Sequence, residues 1–271
     1  MNRIGLDYIT LLGMPPLEFI RIAAAAGCGH VALFPAQSEF NPEGYPDYSL
    51  VTDRALRRDI ARCLDDEGVS IALVDGFAVF KGRPIEDHWP ALDMLAEVGV
   101  TRINTVSFDA PERTIDETAK LVEKAASYGL TVTIESCPVL TTKTLAEAIA
   151  LIELVAQPNF KLLIDTMHVS RTGEAGRLAT LDPLLIDYVQ ISDGPLAMPA
   201  TDTEYMDEAM NERRIPGEGE MPLVDMLRSI RPDVVVSGEV PLRSLREAGI
   251  SSLDRAMRVV TGIRHVLGAA G

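Results

Sequence analysis

Cysteine, histidine and basic residues are all scarce in this chain. Its three cysteines (Cys28, Cys63, Cys137) are odd in number and far apart. They exclude a disulfide framework and a C-x-x-C zinc motif, and point to reduced thiols. Lysine and arginine total 25 against 40 aspartates and glutamates, a net charge of −15. That balance argues against nucleic acid, whose recognition needs a basic footprint, and against an anionic membrane surface. No apolar run is long enough to span a bilayer. The opening MNRIGLDYIT lacks a secretory signal pattern, so the expected location is the cytoplasm. The G-x-G-x-x-G turn of a dinucleotide-binding fold is also missing after the first strand-like run, where YITLLGMPP stands instead.

What the chain does have is alternation. Its 271 residues are 47% apolar, enough for one large domain over 1–271 with a sizeable core. Eight runs rich in Val, Ile and Leu read as strands buried on both faces. They are 3–7, 30–34, 70–74, 102–106, 131–135, 161–165, 188–192 and 234–239. Helical patterns lie between them. Ala55, Leu56, Ile60, Cys63 and Leu64 form one apolar stripe, closed by Gly68. Thr114 to Glu117 and Thr144 to Glu147 read as capping boxes, the second followed by Leu145, Ile149, Ile152 and Val155. Eight strand–helix units fit a closed parallel (β/α)8 TIM barrel. Two connections exceed simple joints, 35–50 after strand two and 193–220 after strand seven. Each is a candidate substrate wall or lid.

Four polar residues end neighbouring strands: Glu135 in LTVTIES, Asp165 in KLLIDTMH, Gln190 in YVQISD and Glu239 in VVVSGE. In such a barrel the C-terminal strand ends converge on one point. Three carboxylates and an amide oxygen gathered there call for a cation, and an all-oxygen set suits Mg²⁺ or Mn²⁺. One such acid alone would more often cap a helix or pair with arginine; four aligned strand ends outweigh that ordinary role.

The pieces T-I-E-S (133–136), L-I-D-T-M-H (163–168), V-Q-I-S-D-G-P (189–195), R-R-I-P-G-E-G (213–219) and V-V-S-G-E-V (235–240) resemble the xylose-isomerase-like TIM-barrel superfamily. Within it they are similar to the sugar phosphate isomerase/epimerase group. The likeness is specific from strand five onward. It implies one divalent ion held by Glu135, Asp165, Gln190 and Glu239, with glutamine where that family usually has histidine. It also implies an enediolate route in which Glu135 and Glu239 act as acid and base on a keto sugar or related polyol. By the same resemblance His168 and Arg214 contact substrate, Arg213 being the neighbouring competitor. A dimer or tetramer fits the family pattern.

Other readings stay open at this point. The same enediolate could expel a β-hydroxyl, making the enzyme a lyase. A barrel that binds without catalysis is compatible with Gln190. A DNA-repair endonuclease of the same superfamily would need a histidine-rich trinuclear zinc site, and four histidines in an acidic chain argue against it. Tyr8, Asp75 and His88 are candidate wall residues. Trp89 is expected to pack, Cys137 to be an inert thiol, Asp193 to cap, and Glu218 and Glu220 to be solvated or capping.

Overall fold

In the computed structural model, which describes residues 2–271, eight parallel strands close on themselves in sequence order. They are β1 (Ile4–Leu6), β2 (His30–Leu33), β3 (Ser70–Val74), β4 (Arg102–Thr105), β5 (Thr131–Glu135), β6 (Phe160–Asp165), β7 (Ile186–Ile191) and β8 (Val235–Gly238). The seam is β1 on β8, with Leu6 opposite Gly238. The expected (β/α)8 barrel is therefore the fold observed, with strand ends moved by a residue or two.

Among the described residues ten α-helices accompany the strands: α1 (Pro16–Ala26), α2 (Arg54–Glu67), α3 (Trp89–Leu95), α4 (Pro111–Ala126), α5 (Leu145–Val155), α6 (Thr166–Arg171), α7 (Asp202–Asn211), α8 (Leu223–Arg228), α9 (Arg243–Glu247) and α10 (Ser252–Ala270). The stripe on α2 is buried at Ile60, Cys63 and Leu64, and Gly68 ends the helix in the left-handed region at φ 66°. Thr144 and Glu147 form the expected capping box on α5. Thr114 and Glu117 do not. Pro111 already starts α4, so both residues fall inside it. There Thr114 bonds Ser107, and Glu117 accepts from the Ile85 amide.

A small set of side chains fills the lower lumen: Ala32, Ala72, Leu73, Leu163, Tyr188 and Val235. The main core lies between the strands and the helices outside them. At Gly238 the two layers press close. A Cβ there would lie 2.5 Å from Val259 Cγ1 on α10, so glycine is what lets this helix seat against the strand end that carries Glu239. Trp89 packs against the core, as expected. Among the described residues no helix is long and apolar enough to cross a membrane.

Candidate active site

The C-terminal ends of the strands present acids or amides from β1, β3, β4, β5, β6, β7 and β8: Asp7, Asp75, Asn104, Glu135, Asp165, Gln190 and Glu239. Parallel register sets their level, with Asp165 opposite Gln190 and Gln190 opposite Ser237. Side chains two residues apart share a face, so Ser237 stands one layer below Glu239.

Asp165 does two jobs. Its Oδ1 accepts from the amides of Met167 (2.7 Å) and His168 (3.1 Å), capping α6. Its Oδ2 takes Arg213 Nη1 at 2.6 Å. Burial alone would discourage its charge, but Arg213 and His168 outweigh that and hold the carboxyl well below the usual carboxylate range.

The α6 turn brings His168 back over Asp165. Its Nε2 lies 3.2 Å from Glu135 Oε1 and 3.8 Å from Asp165 Oδ2. Its Nδ1 is 2.6 Å from the Tyr205 hydroxyl on α7. Burial would lower the imidazole pKa; the Asp165 charge overcomes this and raises it well above its ordinary value.

Arg213, 3% exposed, is the cation in the cluster. Its Nε donates to Ala209 O at 2.8 Å and its Nη1 also reaches Ser192 Oγ at 3.2 Å. Nη2 lies 2.9 Å from Glu239 Oε2, an ion-pair contact whose angle falls short of a hydrogen bond. The structure thus places Arg213, and not the expected Arg214, among the carboxylates. The cause is a two-residue bridge: Asp193 and Arg214 exchange backbone bonds at 2.9 Å each way. The Arg214 side chain is exposed and lines an outward groove with Leu245, Met257 and His265. Asp193 caps as expected, accepting from the amides of Gly194, Gly217 and Met221.

Gln190 is fully buried. Its Nε2 donates to Glu239 Oε1 at 2.9 Å and, longer, to Asp7 Oδ1 at 3.4 Å. Carboxylates on both sides dictate that amide orientation, which leaves Oε1 without a partner. Burial drives the Glu239 carboxyl pKa well up, and nearby Asp165, Asp7 and Glu135 add to this against the pull of Arg213. On the far side Asn104 Nδ2 links Glu135 Oε2 (3.3 Å) to Asp75 Oδ1 (3.4 Å). Burial first, then neighbouring carboxylates, push Asp7 up to about 8 and Asp75 up to about 7.

Of the four expected ligand residues, Glu135 and Asp165 converge with His168, while Glu239 and Gln190 bond each other and reach the group through Arg213. Ligand atoms of Glu135, Asp165 and His168 all lie within 4.8 Å of one another. Arg213 meets two of the three carboxylates, Asp165 and Glu239, and buried Gln190 Oε1 and Glu239 Oε2 lack hydrogen bonds. That donor set fits a divalent cation. Asp7 joins the ring unanticipated, although it ends a strand-like run as the other acids do. Helix α7 was also unexpected inside 193–220; its capping box, Thr201 with Glu204, was readable. Tyr8 is buried with its hydroxyl on Gln37 (3.3 Å), His88 bonds Ala78 O (3.0 Å), and Cys137 is a buried free thiol. Glu218 and Glu220 are exposed.

The sequence matches the profile of xylose isomerase-like TIM barrels over residues 20–259. No curated protein matches it. Solved structures share the fold at low identity. A xylose isomerase-like TIM barrel/4-hydroxyphenylpyruvate dioxygenase fusion protein superposes with a TM-score of 0.79 and 20% identity, over 99% of this chain but 43% of the fusion. The IolI protein with a binding zinc atom gives 0.77 at 18% identity, covering 99% of both chains. D-psicose 3-epimerase, in the presence of D-fructose, gives 0.70 at 15% identity, again over 99% of each.

Proposed function

The chain belongs to the xylose isomerase-like TIM-barrel family, and from that premise we propose that it is a divalent-metal-dependent isomerase or epimerase acting on a keto sugar or related polyol. The observation that carries this reading is the convergence of Glu135, Asp165 and His168 within 4.8 Å, with Glu239 tied to the same cluster through Arg213. Glu135, Asp165 and Glu239 are the proposed carboxylate ligands of one ion, Mn²⁺ or Mg²⁺. Gln190 Oε1 is the weaker fourth. His168 Nε2, aimed at the same point, either supplies a nitrogen to the ion or touches substrate oxygen beside it.

The bound ion supplies Lewis-acid polarisation of a carbonyl and its neighbouring hydroxyl. The protein groups supply the rest. Glu135 ends β5 against His168, and Glu239 follows β8 against Arg213. One takes the C–H proton from the hydroxyl-bearing carbon beside the carbonyl, and the other returns a proton to a neighbouring carbon or to the opposite face. Arg213 steadies the charge that develops on oxygen. Tyr205 and Asp165 hold the His168 ring.

A lyase is the second reading: after the same proton abstraction a β-hydroxyl can leave instead, with the other of the two carboxyls, Glu135 or Glu239, supplying the proton that the departing oxygen takes. A DNA-repair role fits poorly. Of the four histidines only His168 is at the mouth; His30 begins β2, His88 bonds Ala78 and His265 lies on α10.

Deuterium uptake from D₂O at the carbon beside the carbonyl, followed by NMR over a ketose panel with Mn²⁺-loaded protein, tests the proposal. Metal-dependent exchange is expected. Absence of exchange across the panel with metal bound overturns the isomerase reading.

A further inference from the structure

We infer that the β3–β4 wall of the mouth ends in an aromatic platform for a second, planar ring, so that the substrate is a keto sugar or polyol carrying an aryl group at the end remote from its carbonyl. The inference rests on the sugar-modifying reading above and deepens it.

Exposure gives the first argument. Phenylalanine is ordinarily buried, yet Phe80 and Phe108 are 40% and 47% exposed. Their rings stack on each other, with centroids 5.4 Å apart and planes inclined by 5°. They have company. Among the described residues nine large apolar side chains are exposed, and five of them, Phe40, Phe80, Phe108, Leu196 and Met198, stand on loops that follow β2, β3, β4 and β7. Exposed apolar surface gathered on the mouth face marks a binding surface. A small sugar has no use for it, because its hydroxyls need hydrogen-bonding partners and these five side chains offer none.

Register gives the second. Beyond their strand ends β3 and β4 stay paired: Val79 N donates to Val106 O, and Phe108 N donates to Val79 O, both at 2.9 Å. Val79 packs into the main core outside the barrel, and Ser107 Oγ meets Thr114 Oγ1 on α4 at 2.6 Å. Their neighbours Phe80 and Phe108 therefore face the other way, over the mouth. Asn104 leads to the same side. It lies four residues before Phe108 on one face of the extended chain, and its Nδ2 donates to Glu135 Oε2 at 3.3 Å. Four residues of extended chain rise about 13 Å. A six-carbon chain matches the backbone of two extended residues, about 7 Å. A ketose held at its carbonyl by the Glu135 cluster stops short of Phe108, and an arylmethyl group on its last oxygen spans the remainder.

Rigidity gives the third. Arg83 N donates to Phe80 O at 3.1 Å, closing a turn. Arg83 O accepts from Arg113 Nη2 at 2.9 Å, and Arg113 Nε pairs with Asp109 Oδ2 at 2.7 Å, next to Phe108. The Arg83 guanidinium itself lies 5.7 Å from the Phe80 ring centroid. The two loops are thereby strapped together, and the stack is preorganised to take a further ring. A second copy of the chain is the other occupant that an apolar rim could meet. The stack, however, lies on the inward face of the wall, in line with Asn104.

Isothermal titration of the Mn²⁺-loaded protein with D-fructose, 6-O-methyl-D-fructose and 6-O-benzyl-D-fructose tests this, with sedimentation velocity run alongside. The benzyl ether is expected to bind roughly tenfold more tightly than the other two. Phe80→Ala and Phe108→Ala, both at exposed positions where the fold tolerates truncation, should each remove most of that advantage. Leu154→Ala, at an exposed apolar position on α5, should keep it. Equal binding of the benzyl and methyl ethers overturns the inference, as does a benzyl preference that survives in both phenylalanine variants. Self-association that both variants abolish, with the ethers bound equally, assigns the rim to a second copy and overturns it too. Failure of all three sugars to bind sinks the sugar reading itself and takes the inference with it.

Discussion

Gln190 donates its amide to Glu239 across the β7–β8 pair, Nε2 to Oε1 at 2.9 Å. The residue that departs from the usual family histidine therefore holds one of the two proposed proton-transfer groups in place. Its oxygen is left free for a ligand. A histidine at this position would present a nitrogen lone pair instead, and softer metals would gain. Gln190→His should raise the affinity for Zn²⁺ relative to Mg²⁺, measured by competition titration. An unchanged ratio would place Gln190 outside the ligand set.

Glu135→Gln and Glu239→Gln keep shape and hydrogen bonding but remove proton transfer. Each should lower turnover by about 10²–10⁴-fold with the fold intact by circular dichroism. Wild-type rates in either variant would end the two-acid mechanism.

Arg213→Met leaves Asp165 buried with no guanidinium against it. In the presence of a chelator it should destabilise the protein by about 3–5 kcal/mol in denaturant titration. Arg214→Met, at an exposed position, should change stability by less than about 0.5 kcal/mol. Equal effects would contradict the inward placement of Arg213.

Stability of the metal-free protein should depend on pH in two opposite ways. Asp165 has a depressed pKa, so its contribution is complete above the unfolded value of about 3.9 and is lost as pH falls through the folded one. Asp7 and Asp75 have raised values, about 8 and about 7. As pH climbs from about 4 the unfolded chain gives up those protons first, so stability declines until the folded carboxyls ionise as well. The slope is at most roughly 1.4 kcal/mol per pH unit for each group. Asp75→Asn should flatten it, as followed by thermal melting between pH 5 and pH 8. An unaltered slope would show that Asp75 ionises normally.

The barrel was legible because its strands are short, apolar on both faces and regularly spaced; period alone located β3 and β5 to the residue. The placing of Glu135, Asp165, Gln190 and Glu239 at the mouth followed from their positions at strand ends. Other features depended on geometry that adjacent letters do not carry. Arg213 and Arg214 are interchangeable in the sequence, and only the bridge between Asp193 and Arg214 decides which turns inward. Thr114 with Glu117 had the spacing of a capping box, but Pro111 had already begun the helix. The role of Asp7 became visible once β7 brought Gln190 beside it.

The clasp at Asp193 has a consequence of its own. Its backbone locks to Arg214, and its carboxylate gathers the amides of Gly217 and Met221. Both ends of the excursion that contains α7 are thereby pinned at one point of the barrel. Between these anchors α7 lends two contacts to the site, Tyr205 to His168 and the Ala209 carbonyl to Arg213. Residues 197–200, ahead of α7, make neither contact, so changes of length or shape there alter the rim while Arg213 keeps its place between Asp165 and Glu239.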